Sequence, residues 1–223
     1  MTFSIAALCP DTGRIGLAVA SSSPAVAARC AHLRAGIGAV ASQNVTDPRL
    51  GPRGLDLMAL GAAPAEALAI LRATGPHIEH RQLALLDRQG RTAAWSGTGC
   101  LGVHATAQGK GVVSAGNLLA NPGVPQAIVA GFLAAQGDFG GRVLAAMKAG
   151  LAAGGEAGPI RSIGMLVVAD VPWPVVDLRV DWHDAPIAEL ERLWAVWRPQ
   201  ADAYVTRALN PGDAPSFGVP GNL

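Results

Sequence analysis

The second residue of the chain is a threonine, small enough for methionine aminopeptidase to uncover, and a strand-like run from Thr2 to Cys9 begins there at once. A threonine at a mature amino terminus carries two catalytic functions in one residue. Its hydroxyl is a nucleophile, and its α-amine, a group that ordinarily titrates at about 7.7–8.0, can act as the base near neutral pH. Such chemistry needs no histidine or aspartate partner, and no triad can be assembled from motifs elsewhere in the sequence. Thr2 is therefore the candidate nucleophile.

Other patterns with chemical meaning fall away on their context. Ser114 and Ser96 lack the first glycine of a serine elbow. His77 and His80 stand three apart with no carboxylate or cysteine to complete a metal site, and His32, His104 and His183 are isolated, so no metal is expected. Gly97-Thr98-Gly99-Cys100-Leu101-Gly102 has the GxGxxG spacing, but no helix and no ribose-binding acid follow it. It reads as a glycine-rich turn, and no cofactor is expected. Cys9, Cys30 and Cys100 form neither a CxxC pair nor a Cys/His framework; reduced thiols in a cytoplasmic protein are the simplest account.

The elements that must position Thr2 follow from periodicity and punctuation. Thr2 to Cys9 and Ile15 to Ala20 predict a hairpin around Asp11-Thr12-Gly13. A small-residue segment of helical character leads to a third strand over Ile37 to Ala41. Gly51-Pro52-Arg53-Gly54 breaks the pattern before helices over Leu55 to Leu60 and from Pro64 onward. Leu83 to Asp87 and Arg91 to Trp95 predict a second hairpin, and Gly111 to Ala115 another strand. Helices are expected over Pro125 to Ala135 and Arg142 to Ala152. Strands return at Ile163 to Ala169 and Val175 to Val180, and a tryptophan-bearing helix follows from Pro186 to Trp197, continued by Pro199 to Leu209. Hairpins, then helices, then strands is the order of an α+β domain with antiparallel sheets. Trp182, Trp194 and Trp197 suit core packing or a subunit contact, so a homo-oligomer is open.

The bulk numbers agree with one sizeable domain over residues 1–209 and an extended or mobile tail over 210–223. Of 223 residues half are hydrophobic and 15% charged, with 17 Lys plus Arg against 16 Asp plus Glu. No basic block offers a footprint for nucleic acid. No apolar run is long and unbroken enough for a membrane span, and the start lacks the basic region of a signal peptide.

Several blocks in register resemble a bacterial family of uncharacterised proteins, DUF1028, grouped with the N-terminal-nucleophile hydrolases. They are Met-Thr-Phe-Ser-Ile-Ala at the start, Ala35 to Gln43, Gly51-Pro52-Arg53-Gly54-Leu55-Asp56-Leu57, Gly116-Asn117-Leu118-Leu119, Gly154-Gly155-Glu156 and Asp177 to Asp181. The likeness spans roughly residues 1–195. It implies a four-layer αββα sandwich, two antiparallel sheets between helix layers, with the amino terminus opening into a cleft between the sheets. It also implies amide cleavage through an acyl-enzyme on the first mature residue, the substrate being a small amide, an N-acyl amino acid or a peptide-like compound. Three departures bear on the substrate: Glu156 stands where the family usually has Asp, Arg161-Ser162 where Gln-Ser is frequent, and Leu50 where an aromatic is common.

Within that frame the supporting residues can be named. A backbone N–H of the turn expected at Ser42-Gln43-Asn44 and the Asn117 side chain are candidate oxyanion donors; Asn117 reads equally as a turn residue beside Gly116. Ser22 is placed to bond the nucleophile or serve as a loop serine. Arg53 could clamp a substrate carboxylate or lock a loop, and Glu156 could pair with Arg53 or Arg161 or sit in solvent. A second reading keeps the fold without turnover, as a small-molecule-binding or scaffold protein.

Overall fold

Alternation decides how the first strand sits. In Thr2–Leu8 (β1), Phe3, Ile5 and Ala7 belong to one buried cluster and Ala6 to another, because successive side chains of a strand point to opposite faces. The structure is a computed structural model and describes residues 1–219 and 221. Ile15–Ser21 (β2) returns beside β1 through the turn around Asp11-Thr12-Gly13. A single helical turn, Ala27–Cys30 (α1), leads into Ala31–Arg34 (β3) and Gly38–Asn44 (β4). Helices Leu50–Ala59 (α2) and Pro64–Thr74 (α3) come next, then strands Arg81–Asp87 (β5), Thr92–Ser96 (β6), Ala105–Gly109 (β7) and Val112–Asn117 (β8). Val124–Ala134 (α4) and Phe139–Ala152 (α5) form a helical pair. Ser162–Val168 (β9), Val176–Val180 (β10), Pro186–Trp197 (α6) and Ala201–Leu209 (α7) complete the order.

The strands make two antiparallel sheets, one of six in the order β10-β9-β2-β1-β8-β7 and one of four in the order β3-β4-β5-β6. Three apolar clusters define the layers. Phe3, Ile5, Ala18 and Met165 of the larger sheet bury against Ile128, Phe132, Val143 and Met147 of α4 and α5 and against Ile187 and Leu190 of α6. Val40, Leu83 and Leu85 of the smaller sheet bury against Leu55, Met58, Leu68 and Leu71 of α2 and α3. Between the sheets lie Ala6, Leu17, Val19, Ala39, Ala41, Ala84, Leu86, Val113 and Ala115. The many alanines keep this central layer thin, as face-to-face sheets about 10 Å apart require. The architecture is thus a four-layer αββα sandwich in the α+β class.

Several elements depart from their sequence-predicted form. Helix α2 begins at Leu50, so Gly51-Pro52-Arg53-Gly54 lies inside it. Pro52 is tolerated in the first turn, where its missing N–H has no intrahelical partner anyway. Gly51 is there for contact: a Cβ on it would lie 2.1 Å from the His32 ring. Burial there lowers the His32 pKa. Two short strands, β3 and β7, were not expected, and each is a sheet edge. Helix α5 starts at Phe139, three residues early, capped by Asp138, whose Oδ1 accepts from the Gly141 N–H at 2.8 Å.

The glycine run at 97–102 joins β6 to β7, so a strand follows it and not a helix. Gly97 presses against the backbone of Glu79, where a Cβ would come within 2.2 Å of a carbonyl oxygen. The Thr98 N–H and hydroxyl both donate to Glu79 Oε2, at 2.8 and 2.9 Å. Trp197 stacks on Tyr204 at 4.9 Å and its ring N–H donates to Val175 O, whereas Trp182 is exposed beneath Arg161. Beyond α7 the chain turns back, and the Arg207 guanidinium lies 3.8 Å over the Phe217 ring. Pro220, Asn222 and Leu223, within the tail expected from sequence, lie outside the described residues.

Candidate active site

At the Thr2 end the central layer changes character. Continuing the inward-facing parity of each strand past its apolar residues gives Thr2 after Ala6 and Ser4 on β1, Ser21 after Val19 on β2, and Asn117 after Ala115 on β8. The smaller sheet contributes Gln43 after Ala41 on β4 and Gln82 before Ala84 on β5. All five are buried, Thr2 the most open of them at 6%. Buried polar groups must find partners, and here they find one another.

Register sets the geometry. Thr2 is paired with Ser21 on one side and Asn117 on the other, both on the face Thr2 presents to the second sheet. Gln82 Oε1 accepts from Asn117 Nδ2 at 3.1 Å and from Gln43 Nε2 at 2.7 Å. Gln82 Nε2 in turn donates to Ser96 Oγ at 2.9 Å and, across the sandwich, to Gly116 O at 2.8 Å. Gln43 Oε1 is buried with no donor, an acceptor left open in the cluster.

Residue 1 lies over this cluster. The hydroxyls of Thr2 and Ser21 each donate to the Met1 carbonyl oxygen at 2.5 Å, and the two hydroxyl oxygens are 3.5 Å apart. Two hydroxyl donors, one of them the candidate nucleophile, therefore converge on one carbonyl. The Met1 side chain runs to Gly158, its Cε and Sδ 3.1 and 3.4 Å from where a Cβ would stand.

Glu156 is the charged group of this neighbourhood. It follows the Gly154-Gly155 turn after α5, bridges to Leu119 and is 5% exposed. Burial raises its pKa from 4.5 to about 7, against the opposing pull of the Met1 amino group and of hydrogen bonds from Ser22. Ser22 N–H donates to Glu156 Oε2 at 3.1 Å, while Oε1 is buried without a partner.

The sequence-derived candidates divide accordingly. Thr2, Asn117, Glu156 and Ser22 come together at this end, although the hydroxyl bonded to Thr2 is that of Ser21, and Ser22 serves Glu156. Asn117 is a strand residue and not a turn. Asn44 closes β4 with φ +74°, and its side chain is engaged away from Thr2: its Nδ2 donates to His80 O at 2.6 Å and its Oδ1 accepts from Leu101 N–H at 3.2 Å. Ser42 and Gln43 are strand residues, so no turn stands there. Arg53 lies on the outer helix α2 and donates to Thr74 Oγ1 at 2.7 Å. Glu156 pairs with neither Arg53 nor Arg161; the latter binds Asp184. Sequence reasoning missed Ser21 and Gln82, for which strand parity was the available signal. Burial raises the thiol pKa of Cys30 and Cys100, which argues against either as a nucleophile. Among the described residues no cluster of three or more His, Cys, Asp or Glu could hold a metal ion, and no helix is long and apolar enough to cross a membrane.

A two-sheet αββα sandwich with a hydroxyl-and-amide cluster at the head of its first strand is the class that fold and site define. The chain belongs to the family described as "Family of unknown function (DUF1028)", which it matches over residues 2–190. The crystal structure of protein SPO2555 from Silicibacter pomeroyi, of the same family, is similar at 32% identity and a TM-score of 0.83, over 87% of this chain and 85% of that one. More distant are HslV from Trypanosoma brucei, with 12% identity, a TM-score of 0.48 and coverage of 75% and 99%, and Anbu from Yersinia bercovieri, with 14% identity, a TM-score of 0.42 and coverage of 91% and 97%. No match was found among curated proteins.

Proposed function

We propose that the protein is an N-terminal-nucleophile amidohydrolase in which Thr2, uncovered by removal of Met1, attacks the carbonyl of a small amide or peptide-like substrate. One observation carries the reading: the Thr2 hydroxyl and the Ser21 hydroxyl meet on a carbonyl at the buried polar end of the sandwich. With Met1 gone, the α-amine of Thr2 accepts the proton of its own Oγ as that oxygen bonds to the substrate carbonyl carbon. The tetrahedral oxyanion takes hydrogen bonds from Ser21 and Asn117. The C–N bond then breaks, and the proton held by the α-amine leaves with the departing amine. Water, deprotonated by the same α-amine, hydrolyses the ester and frees Thr2. No step calls for a cofactor or a metal. A cytoplasmic setting, suited to three free cysteines, and a homo-oligomer belong to the same reading.

The test is intact mass followed by an acyl-directed electrophile. The expected result is protein lacking one methionine and labelled at Thr2 alone. Retention of Met1 throughout the protein isolated from its native host would overturn it.

A further inference from the structure

Beside Glu156 lies a cavity of about 530 Å³ between the end of α5, residues 154–160 and the start of α6. Leu151, Ile160, Pro186 and Ile187 make its wall apolar. Four charged residues line it, three of them acidic: Glu156, Asp184 and Glu191, with Lys148. Lys148 is bound to Glu191 at 2.8 Å at the exposed rim, and Asp184 is bound by Arg161. Glu156 alone of these acids is buried, the Met1 amino group acts on it without a direct ion pair, and its Oε1 has no hydrogen-bond donor. A buried carboxylate oxygen without a donor is costly unless something fills the place.

Met1 indicates what fills it. An acyl group on the Thr2 nitrogen and one on the Thr2 Oγ interconvert through a single five-membered tetrahedral centre, so residue 1 marks where a substrate's acyl half would lie. Its carbonyl sits under the Thr2 and Ser21 hydroxyls, its side chain runs to Gly158 on the cavity wall, and its amino group acts on Glu156. We propose that the acyl half of the substrate is an unblocked α-aminoacyl group with an apolar side chain, its ammonium held by Glu156 and its side chain lodged beyond Gly158. This rests on Thr2 being the nucleophile. Blocking the amine removes the charge and adds bulk against Glu156, so N-acylated counterparts are poor ligands.

The experiment uses protein verified by mass to lack Met1, with the 4-nitroanilides of leucine and methionine and their N-acetyl forms at pH 7. The free-amine substrates should have the higher kcat/KM by at least about tenfold, as expected for one charge-assisted contact, and Glu156→Gln should narrow that ratio. Calorimetric titration with methioninamide and N-acetylmethioninamide reads the same preference without turnover. Equal or reversed preference in either measurement, or no binding of either amide, overturns the aminoacyl assignment. A binding preference with no turnover keeps the assignment and faults the catalytic reading of Thr2, whereas turnover without preference does the reverse.

Discussion

Thr2 and Asn117 are register partners across the β1–β8 ladder. Each ends an alternating inward-facing set, so the Thr2 hydroxyl, the proposed nucleophile, and the Asn117 amide are held by backbone pairing and not by a loop. Directly opposed residues in an antiparallel pair bring their Cβ atoms to roughly 4.5–5.5 Å, close enough for both to address one reacting carbonyl.

The first prediction follows from that pairing. Thr2→Ala should abolish labelling and turnover while the protein stays folded, since a hydroxyl and a methyl stem are exchanged at a strand end. Thr2→Ser should retain part of the rate, because hydroxyl and amine both remain. Labelling mass and circular dichroism of the three proteins decide it.

Ser21→Ala and Asn117→Ala should each slow acylation, by up to about 10²–10³-fold for an oxyanion donor. They should differ in stability. Asn117→Ala strips a donor from buried Gln82 Oε1 and should cost about 1–3 kcal/mol in urea unfolding, whereas Ser21→Ala should cost less once residue 1 is gone. Acylation rates unchanged in both variants would remove them from the mechanism.

Glu156 gives a pH signature in protein that keeps Met1. Its folded pKa, about 7, stands above its ordinary 4.5, so the native state binds the proton more tightly than the unfolded chain. That stabilisation is complete below the unfolded value and is lost as pH rises through about 7. Unfolding free energy should fall over this window by on the order of 3 kcal/mol, and Glu156→Gln should flatten the fall. Denaturant titrations from acid to mildly basic pH measure it; a parent curve as flat as the variant's counts against the buried carboxyl.

Gly97 gives a structural prediction. A methyl there meets the Glu79 carbonyl at 2.2 Å, so Gly97→Ala should destabilise by about 1–3 kcal/mol. Because this glycine run leads into strand β7, titration with NAD or NADP should give no saturable signal in the parent.

How far the sequence reached can be read from particular residues. Pro186–Trp197 matched its expected helix end to end, since proline opens it and its apolar positions recur at helical spacing. The edge strands Ala31–Arg34 and Ala105–Gly109 escaped because each is short and holds no Val or Ile, and an edge needs little apolar alternation. Glycines hid the starts of α2 and α5, where propensity argues for a break and close packing overrides it. Thr2 stands out as a candidate from its position alone, and the structure buries it within the polar cluster. Ser21 and Gln82 each lie one residue outside their expected strands, so parity carried one step further faces them inward, but that they meet depends on the register between strands and on the stacking of two sheets, which local pattern does not encode.

Gln82 has a further consequence for how the molecule moves. It belongs to the smaller sheet yet bonds Gly116 O on the larger, so the layers are riveted beside Thr2. Parting them there breaks that bond and the bond from Asn117 Nδ2 to Gln82 Oε1 together. On the proposed function, a ligand would reach Thr2 past the ends of the strands and not by parting the sheets.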